Sequence, residues 1–404
     1  MNRTFGGMLL ARAPVGLYIH IPFCETKCGY CDFYSVPLAG RETAPLVEGI
    51  VRELHFRLTA RAYPVSTIFM GGGTPTILPS AILRDLLRTV GQLVDIGDVE
   101  EFTVEANPAT VDDEKAALLV QHAVTRVSMG AQSFFASELA ALERLHSPGD
   151  IAPSVQALRR QGVAQVNLDL IFGIPGQSLQ TWSQSLDRAI DLGPDHIACY
   201  GLTYEPGTPL TAQRVAGRVI PCEESLEADL YLLAIDRLAD AGYAQYEISN
   251  FARPGCECRH NLIYWRNQPY VGVGPSATGY VAGRRYKNVR DINGYIRRID
   301  REGHAEGESE MIDDEKLILE MVMMQLRLNE GLNVADFTTR LGVSPLRLFA
   351  AGIARLTAGG LVEVRADKKA ICLTRAGRLL ADAVIAELVS AQRSYQSRPL
   401  PVLQ

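Results

Sequence analysis

The sequence predicts an α/β protein whose larger part is a partial barrel of six β/α units. Between about residues 15 and 203, short apolar runs rich in β-branched residues alternate with helix-like stretches of ten or more residues. That alternation is typical of parallel strands joined by helical crossovers, and six such units favour a partial barrel over a flat dinucleotide-binding sheet. The predicted strands cover residues 17–21, 67–70, 102–105, 126–129, 165–171 and 196–202.

A mixed pattern follows the barrel. Residues 212–310 contain a predicted helix near 223–241, a possible strand at 243–248 and a glycine-rich stretch at 272–279. Neither the helical nor the strand period continues through this stretch. We therefore expect an accessory region that covers the barrel.

The last part of the chain predicts a small separate domain. Residues 311–390 contain helix-like runs, two short apolar runs around a turn at 367–369, and a final helix at 375–387. Helices followed by a β-hairpin resemble a winged-helix unit, which serves either DNA binding or protein interaction. The predicted domains are an N-terminal segment 1–14, the barrel 15–211, the accessory region 212–310, the winged-helix-like domain 311–390 and a loose tail 391–404.

The composition narrows the classes of function. The 404 residues are 47% hydrophobic, enough for a large core and a second one. Because 40 Lys and Arg face 46 Asp and Glu, there is no basic field, and we expect no nucleic-acid partner. The apolar stretches are interrupted well before the ~20 residues that a membrane span needs, so we expect no span and no signal peptide. Three cysteines are clustered at ligand spacing and the others are scattered, which fits a reducing compartment better than a disulfide framework. This pattern predicts a cytoplasmic protein.

The most specific motif is a C-x3-C-x2-C run formed by Cys24, Cys28 and Cys31. Three thiolates on one tight loop can hold three irons of a 4Fe-4S cluster and leave the fourth iron without a protein ligand. A zinc site is the alternative, but it asks for a fourth ligand nearby, and buried free thiols need no fixed spacing. The spacing therefore favours an iron–sulfur cluster with one open iron.

Polar and glycine residues gather at the carboxyl ends of the predicted strands. Glycines 71–73 follow the second strand, Glu105 ends the third, Gln132 follows the fourth and Asp169 lies in the fifth. Ligand sites in such folds form at these ends. Each residue alone has a structural explanation, as a turn glycine or a satisfied polar group at a barrel rim. Together they predict one shared site beside the cysteine loop.

The cysteine loop and the glycine turn resemble the radical S-adenosylmethionine superfamily. The run Tyr18-Ile-His20-Ile-Pro-Phe-Cys24 narrows the resemblance to the branch that contains oxygen-independent coproporphyrinogen III oxidase. The resemblance implies a radical SAM partial (β/α)6 barrel in which the open iron binds the methionine part of S-adenosylmethionine. It further implies contacts to this cofactor from Tyr18, Tyr30, Gly72, Gly73, Thr74, Glu105, Gln132, Arg144 and Asp169.

Two departures separate the chain from the oxidase. The oxidase has another cysteine two residues after the third cluster ligand, whereas Phe33 occupies that place here. It also has a longer arm before the cluster loop, and only 23 residues precede Cys24. Phe33 in that position resembles the HemW-type family, whose members act as heme chaperones.

A second motif agrees with this resemblance. Residues 260–265 read H-N-x-x-Y-W, which marks the HemW group and implies heme contact by His260, Tyr264 and Trp265. The alternatives are a histidine that hydrogen-bonds within the protein with aromatic residues in the core, or a metal site formed with Cys256 and Cys258. His20 stays open as a heme ligand or a neighbour of the cluster.

The sequence thus predicts a heme chaperone with a 4Fe-4S cluster, S-adenosylmethionine and heme as cargo, which it passes to an acceptor protein that the sequence does not name. No catalytic residue is assigned. An oxidase that decarboxylates a porphyrinogen is the alternative, and a DNA-binding regulator that uses the C-terminal unit is a third. Thr278 stands where this family often has a histidine.

Overall fold

The computed structural model describes residues 14–59 and 63–396, the main chain alone for 391–396, and has a mixed β-sheet at its centre. Six strands pair in chain order and run parallel, which confirms the predicted α/β class. Among the described residues the sheet stays open, so the barrel is partial. The six strands are β1 (Val15–Ile21), β2 (Val65–Gly72), β3 (Glu101–Ala106), β4 (Arg126–Gln132), β5 (Gln165–Phe172) and β6 (His196–Gly201).

Helices cover the convex face of these strands. In β1, Leu17, Ile19 and Ile21 are fully buried in the core that the helices complete, while Tyr18 and His20 face the concave side. Alternation of this kind follows from the two-residue period of a strand. Each fully buried leucine or isoleucine stabilises the fold by roughly 1.5–3 kcal/mol. The helices between strands are α1 (Ala44–Thr59), α2 (Ser80–Leu93), α3 (Asp113–Gln121), α4 (Ala136–Ala141), α5 (Ile151–Arg160) and α6 (Leu179–Asp191).

Further strands extend both edges of the sheet, antiparallel beyond β6 and mixed beyond β1. Beyond β6 the chain forms α7 (Pro209–Val215) and α8 (Glu224–Asp240), then β7 (Ala244–Gln245) and β8 (Asn250–Ala252). The single strand predicted at 243–248 was therefore wrong in extent, because the chain reverses there: Tyr246 N donates to Asn250 O at 3.1 Å. After α9 (Arg259–Trp265), the other edge carries β9 (Tyr270–Val273), β10 (Thr278–Val281), β11 (Arg284–Asn288), α10 (Ile292–Glu302) and β12 (Glu306–Met311).

Strand β9 is placed by pairing across a long stretch of sequence. It runs parallel to β1, with Tyr18 opposite Gly272, and β10 to β12 continue the sheet antiparallel. Buried Glu53 of α1 fixes this extension by accepting hydrogen bonds from Gly274 N at 3.0 Å and Tyr295 Oη at 2.7 Å. The concave face of the barrel thereby continues onto the added strands.

The C-terminal residues form a second hydrophobic cluster. The predicted final helix is divided: a short helix, Arg375–Leu379, packs through Gly377 against the main chain of Leu361, and a longer helix follows. The elements are α11 (Asp314–Gln325), β13 (Leu332–Asn333), α12 (Val334–Leu341), α13 (Pro345–Leu348), α14 (Ala350–Ala358), β14 (Val362–Val364), β15 (Ala370–Leu373), α15 (Arg375–Leu379) and α16 (Ala381–Gln396).

The domain bounds derived from the sequence stay predictions. Residues 1–13 of the predicted N-terminal segment and 397–404 of the predicted tail lie outside the described residues. Within the described ranges, no helix is long and apolar enough to cross a membrane.

Candidate functional site

The three motif cysteines lie on one loop at the carboxyl end of β1. Cys24 ends a two-residue strand, Phe23–Cys24, that pairs with Val36–Pro37. Cys28 and Cys31 follow in a turn closed by a hydrogen bond from Cys31 N to Cys28 O at 3.1 Å. All three cysteines are free and partly exposed. We refer to residues 24–31 as the thiol loop.

Two side chains, one from the turn after β2 and one from the segment after α4, donate to the sulfurs of the thiol loop. Arg144 Nη1 lies 3.5 Å from Cys28 Sγ, and Thr74 Oγ1 lies 3.8 Å from Cys24 Sγ. Burial raises the pKa of Cys24, and the neighbouring thiol of Cys31 raises that pKa further. Among the described residues, no group of three His, Cys, Asp or Glu is arranged to hold a single metal ion. A 4Fe-4S cluster is a larger group, and its thiolate ligands bind separate irons.

The glycine turn after β2 packs tightly against β1. Gly73 N donates to Ile21 O at 2.8 Å, and Thr74 N donates to Phe23 O at 2.7 Å. A Cβ atom on Gly73 would lie 2.5 Å from Phe23 O, and Gly72 has a φ of +99°. Only glycine suits both positions. The turn thus brings its main chain to the thiol loop with no side chain between them.

Two predicted carboxylates face each other on the concave side. Glu105 accepts a hydrogen bond from Gly72 N at 2.8 Å, and Asp169 accepts one from Asn167 Nδ2 at 2.8 Å. Burial, supported by the charge of Asp169, raises the pKa of Glu105 to about 7. Burial also raises the pKa of Asp169. These groups can accept hydrogen bonds from hydroxyls or an amino group of a ligand.

Asn107 belongs to the site, although the sequence analysis missed it. Its Nδ2 donates to Thr74 Oγ1 at 2.8 Å, and its Oδ1 accepts from Arg144 Nη2 at 2.5 Å. A small cleft of about 30 Å³ beside Cys28 is lined by Asn107 and Arg144. The position of Asn107, two residues after Glu105 at a strand end, was the available signal.

Gln132 ends β4, and Arg144, which follows α4, reaches back to that strand. Arg144 Nη2 also donates to Gly130 O at 2.9 Å, and its buried Nε has no hydrogen-bond partner. Gln132 has a φ of +64° at an irregularity in the pairing of β4 with β5. A left-handed non-glycine residue costs of order 1–3 kcal/mol, and such residues gather at functional sites.

The predicted tyrosines lie on two sides of the thiol loop. Tyr30 packs against a small apolar cluster, and burial raises the pKa of its hydroxyl. Tyr18 and His20 lie on β1. Because His20 Nε2 donates to Tyr34 O at 2.9 Å, Nδ1 is the acceptor for the Tyr18 hydroxyl at 2.8 Å. Burial lowers the pKa of His20 to about 4, so the imidazole is neutral at pH 7.

An open cavity of about 320 Å³ lies between residues 32–34, which follow the thiol loop, and the added strands. Phe33 stands at its edge and is 72% exposed. The wall is mainly aromatic, and a cavity of this kind suits a flat, largely apolar ligand. The residues that line it are Tyr18, His20, Asp32, Phe33, Tyr34, Tyr264, Tyr270, Ser276, Thr278 and Lys287.

The H-N-x-x-Y-W motif lies in α9, and its residues have different surroundings in the structure. His260 is fully buried, with Nδ1 hydrogen-bonded to Thr67 Oγ1 at 2.7 Å and Nε2 to Tyr264 Oη at 2.8 Å. Burial lowers the pKa of His260 to about 3. Tyr264 lines the cavity, whereas Trp265 is half-buried and is not among the lining residues. An iron can reach His260 only if one of its two hydrogen bonds breaks.

Cys256 and Cys258, which precede this motif, lie in different environments. Cys258 is fully buried, and its thiol donates to Glu101 Oε1 at 3.4 Å. Cys256 is only half-buried. The Glu101 carboxylate also accepts from Arg259 N at 2.8 Å and His260 N at 3.1 Å, which fixes the start of α9.

Comparison with known families defines the class of protein. A family model described as Radical SAM superfamily matches residues 18–189, and one described as HemN C-terminal domain matches residues 312–380. The structure of coproporphyrinogen III oxidase (HemN) from Escherichia coli, a radical SAM enzyme, superposes with a TM-score of 0.81. It covers 95% of this chain and 91% of that chain at 24% sequence identity, which shows a shared fold. The chain is thus a radical SAM protein, as the cysteine loop predicted.

Curated relatives narrow the class. The heme chaperone HemW of Mycobacterium tuberculosis is 37% identical over 380 residues, which cover 93% of this chain and 95% of the relative. The heme chaperone HemW of Bacillus subtilis is 34% identical over 369 residues, which cover 91% and 97%. This chain belongs to the HemW family, which confirms the resemblance inferred from Phe33 and the H-N-x-x-Y-W motif.

Proposed function

We propose that this protein is a heme chaperone that holds a 4Fe-4S cluster and S-adenosylmethionine, binds heme, and passes it to an acceptor protein. The observation that carries the proposal is the aromatic cavity of about 320 Å³, one wall of which is formed by residues 32–34 immediately after the thiol loop. Relatives that are 34–37% identical over more than nine-tenths of this chain are named heme chaperones. Action in the cytoplasm stays a prediction.

The residues of the thiol loop suit a cluster with three protein ligands. Cys24, Cys28 and Cys31 are all free, and a guanidinium lies against one of the sulfurs. A nearby cation stabilises thiolates, which are the ligands that iron requires. When bound, such a cluster supplies a single electron to S-adenosylmethionine at the iron that carries no protein thiolate.

The strand ends suit S-adenosylmethionine beside that cluster. Arg144 has a buried Nε without a partner, and a ligand carboxylate can accept from it. Glu105 and Asp169 offer carboxylate oxygens to hydroxyls and an amino group, while Gly72 and Gly73 allow main-chain approach. Asn107 orients Arg144 and Thr74 by bonding both.

The cavity suits heme as the cargo. The rings of Tyr18, Phe33 and Tyr264 give flat faces for a macrocycle. The side chain of Phe33 is exposed to water, and a bound macrocycle would bury it. We propose that Tyr264 contacts heme and that His260 acts on heme through the hydrogen bond that holds Tyr264. Trp265 then supports α9 and does not touch the cargo.

The test separates a chaperone from an oxidase. The anaerobically reconstituted protein, with S-adenosylmethionine and a reductant, is given coproporphyrinogen III, and in parallel the heme-loaded protein is mixed with a heme-free heme protein. We expect no decarboxylated product, and we expect heme to move to the second protein. Decarboxylation with an intact cluster, or heme that cannot be transferred, would contradict the proposal.

A further inference from the structure

The wall of this aromatic cavity includes one solvent-exposed cation that makes no ion pair within the described ranges. Lys287 is the one cationic side chain among the described residues that line it. It lies on β11, opposite Thr278 of β10 and opposite Glu308 of β12. Within the described ranges its ammonium group has no hydrogen bond and no ion pair, not even with Glu308 across the strand pair.

A second cation lies at the edge of the same cavity. The guanidinium of Arg290 stacks over the ring of Tyr34, with 5.0 Å between the guanidinium carbon and the ring centre. Tyr34 lines the cavity, and Arg290 is exposed with no carboxylate partner among the described residues. Most other arginines of this edge are paired: Arg284 with Glu306, and Arg285 with Glu310 and Glu320.

A cation without an anionic partner, next to aromatic walls, indicates the chemistry of the ligand. Aromatic side chains hold the flat apolar body of a ligand, and a lysine or arginine at the edge of that body pairs with a ligand carboxylate. This ion pair becomes stronger as the ligand excludes water. Asp32 is the one acidic side chain among the described residues of the wall, so a ligand carboxylate is attracted to Lys287 and repelled by Asp32.

We propose that Lys287, assisted by Arg290, is the carboxylate-recognition point of the cavity and orients a flat tetrapyrrole through its propionate groups. This inference rests on the proposed function, because it takes heme as the cargo. It assigns a direction to the bound macrocycle: the propionate edge lies toward β11, and the opposite, apolar edge lies toward Phe33 and Tyr264.

The test compares ferric heme with its dimethyl ester, in which both carboxylates are uncharged. Binding of each is titrated by absorption to the full-length, cluster-loaded protein and to Lys287→Glu. The control is Lys369→Glu, which makes the same change of charge at an exposed hairpin of the C-terminal unit. We expect Lys287→Glu to weaken heme binding at least ~10-fold and to leave binding of the ester almost unchanged. Lys369→Glu should alter neither.

The other outcomes are distinguishable. Equal binding of heme and ester by the wild type, or equal loss of both in Lys287→Glu, overturns the carboxylate assignment and leaves the chaperone proposal standing. No binding of either compound to the wild type overturns both. A loss of S-adenosylmethionine affinity in Lys287→Glu with unchanged heme affinity would assign the lysine to the cofactor and overturn this inference.

Discussion

Arg144 donates a hydrogen bond from Nη1 to the sulfur of Cys28, with 3.5 Å between the two atoms. The same guanidinium bonds Asn107 and the main chain at Gly130, so one side chain connects the thiol loop to the ends of β3 and β4. Its remaining Nε is buried and unpartnered. A buried donor without an acceptor is costly unless a ligand supplies one. This arrangement is the main reason for placing a cofactor carboxylate here.

Replacing Arg144 with methionine should lower the affinity for S-adenosylmethionine at least ~10-fold, because a charge-assisted pair is lost while the three thiols remain. Binding is measured by anaerobic calorimetry on protein with a verified iron content. Arg188→Met is the matched control, since Arg188 donates to Phe134 O on the outer side of the barrel. Unchanged affinity in Arg144→Met would remove this residue from the cofactor site.

Replacing Gly73 with alanine should destabilise the barrel by about 2–4 kcal/mol, because the new Cβ would overlap the main-chain oxygens of Phe23 and Ile21. The midpoint of urea unfolding measures the loss. Gly91→Ala in α2 is the control: the nearest atom to its Cβ is 4.0 Å away, and alanine favours a helix over glycine by ~1 kcal/mol. A Gly73→Ala variant as stable as the wild type would show that the turn is not tightly packed.

The raised pKa of Glu105 predicts a pH dependence of stability. Its pKa rises from 4.5 to about 7 on folding, so the folded protein binds more protons between these values and loses stability as the pH rises through them. The loss from this group is about 3 kcal/mol at most. Glu105→Gln keeps an acceptor for Gly72 N and carries no charge. Urea unfolding of the metal-free protein at pH 5 and pH 8 should therefore show a smaller loss of stability in this variant than in the wild type. Identical losses in the two proteins would refute a raised pKa at Glu105.

Replacing His260 with alanine should cost about 2–4 kcal/mol of stability, because a fully buried ring and its two hydrogen bonds are removed. Heme should bind more weakly because Tyr264 loses its anchor, yet the absorption spectrum of the bound heme should keep the same iron coordination. Tyr264→Phe, which keeps the ring and loses only the hydroxyl, separates the two contributions. A changed coordination spectrum in His260→Ala would instead identify the imidazole as an iron ligand.

The sequence predicted the six parallel strands because their apolar runs alternate with amphipathic helices, a local pattern. It also predicted which strands carry Glu105 and Asp169. The place of β9 next to β1 was not predictable, since that pairing joins Tyr18 to Gly272 across most of the chain. For the same reason the position of Lys287 was not predictable, because only the added strands bring it to the wall of the cavity.

The motif at His260 shows a second limit. Residue spacing identified a family signature, but a histidine inside the core and one facing a ligand have the same letter in a sequence. The hydrogen bonds to Thr67 and Tyr264 decide between these states, and both partners are known only from the fold. Asn107 was missed because a single asparagine after a strand more often forms a turn than orients a neighbouring arginine for ligand binding.

The most direct test of the account is a titration of heme into the cluster-loaded protein, followed by absorption, for the wild type, Phe33→Asp and Leu145→Asp. Phe33 and Leu145 are 72% and 61% exposed, so neither change should disturb folding, and Leu145 borders the small cleft near Cys28, which has no lining residue in common with the aromatic cavity. We predict one heme per chain in the wild type, an affinity at least ~10-fold lower in Phe33→Asp, and no loss in Leu145→Asp. Full heme affinity in Phe33→Asp, or no saturable binding in the wild type, would contradict the central claim that this cavity receives heme.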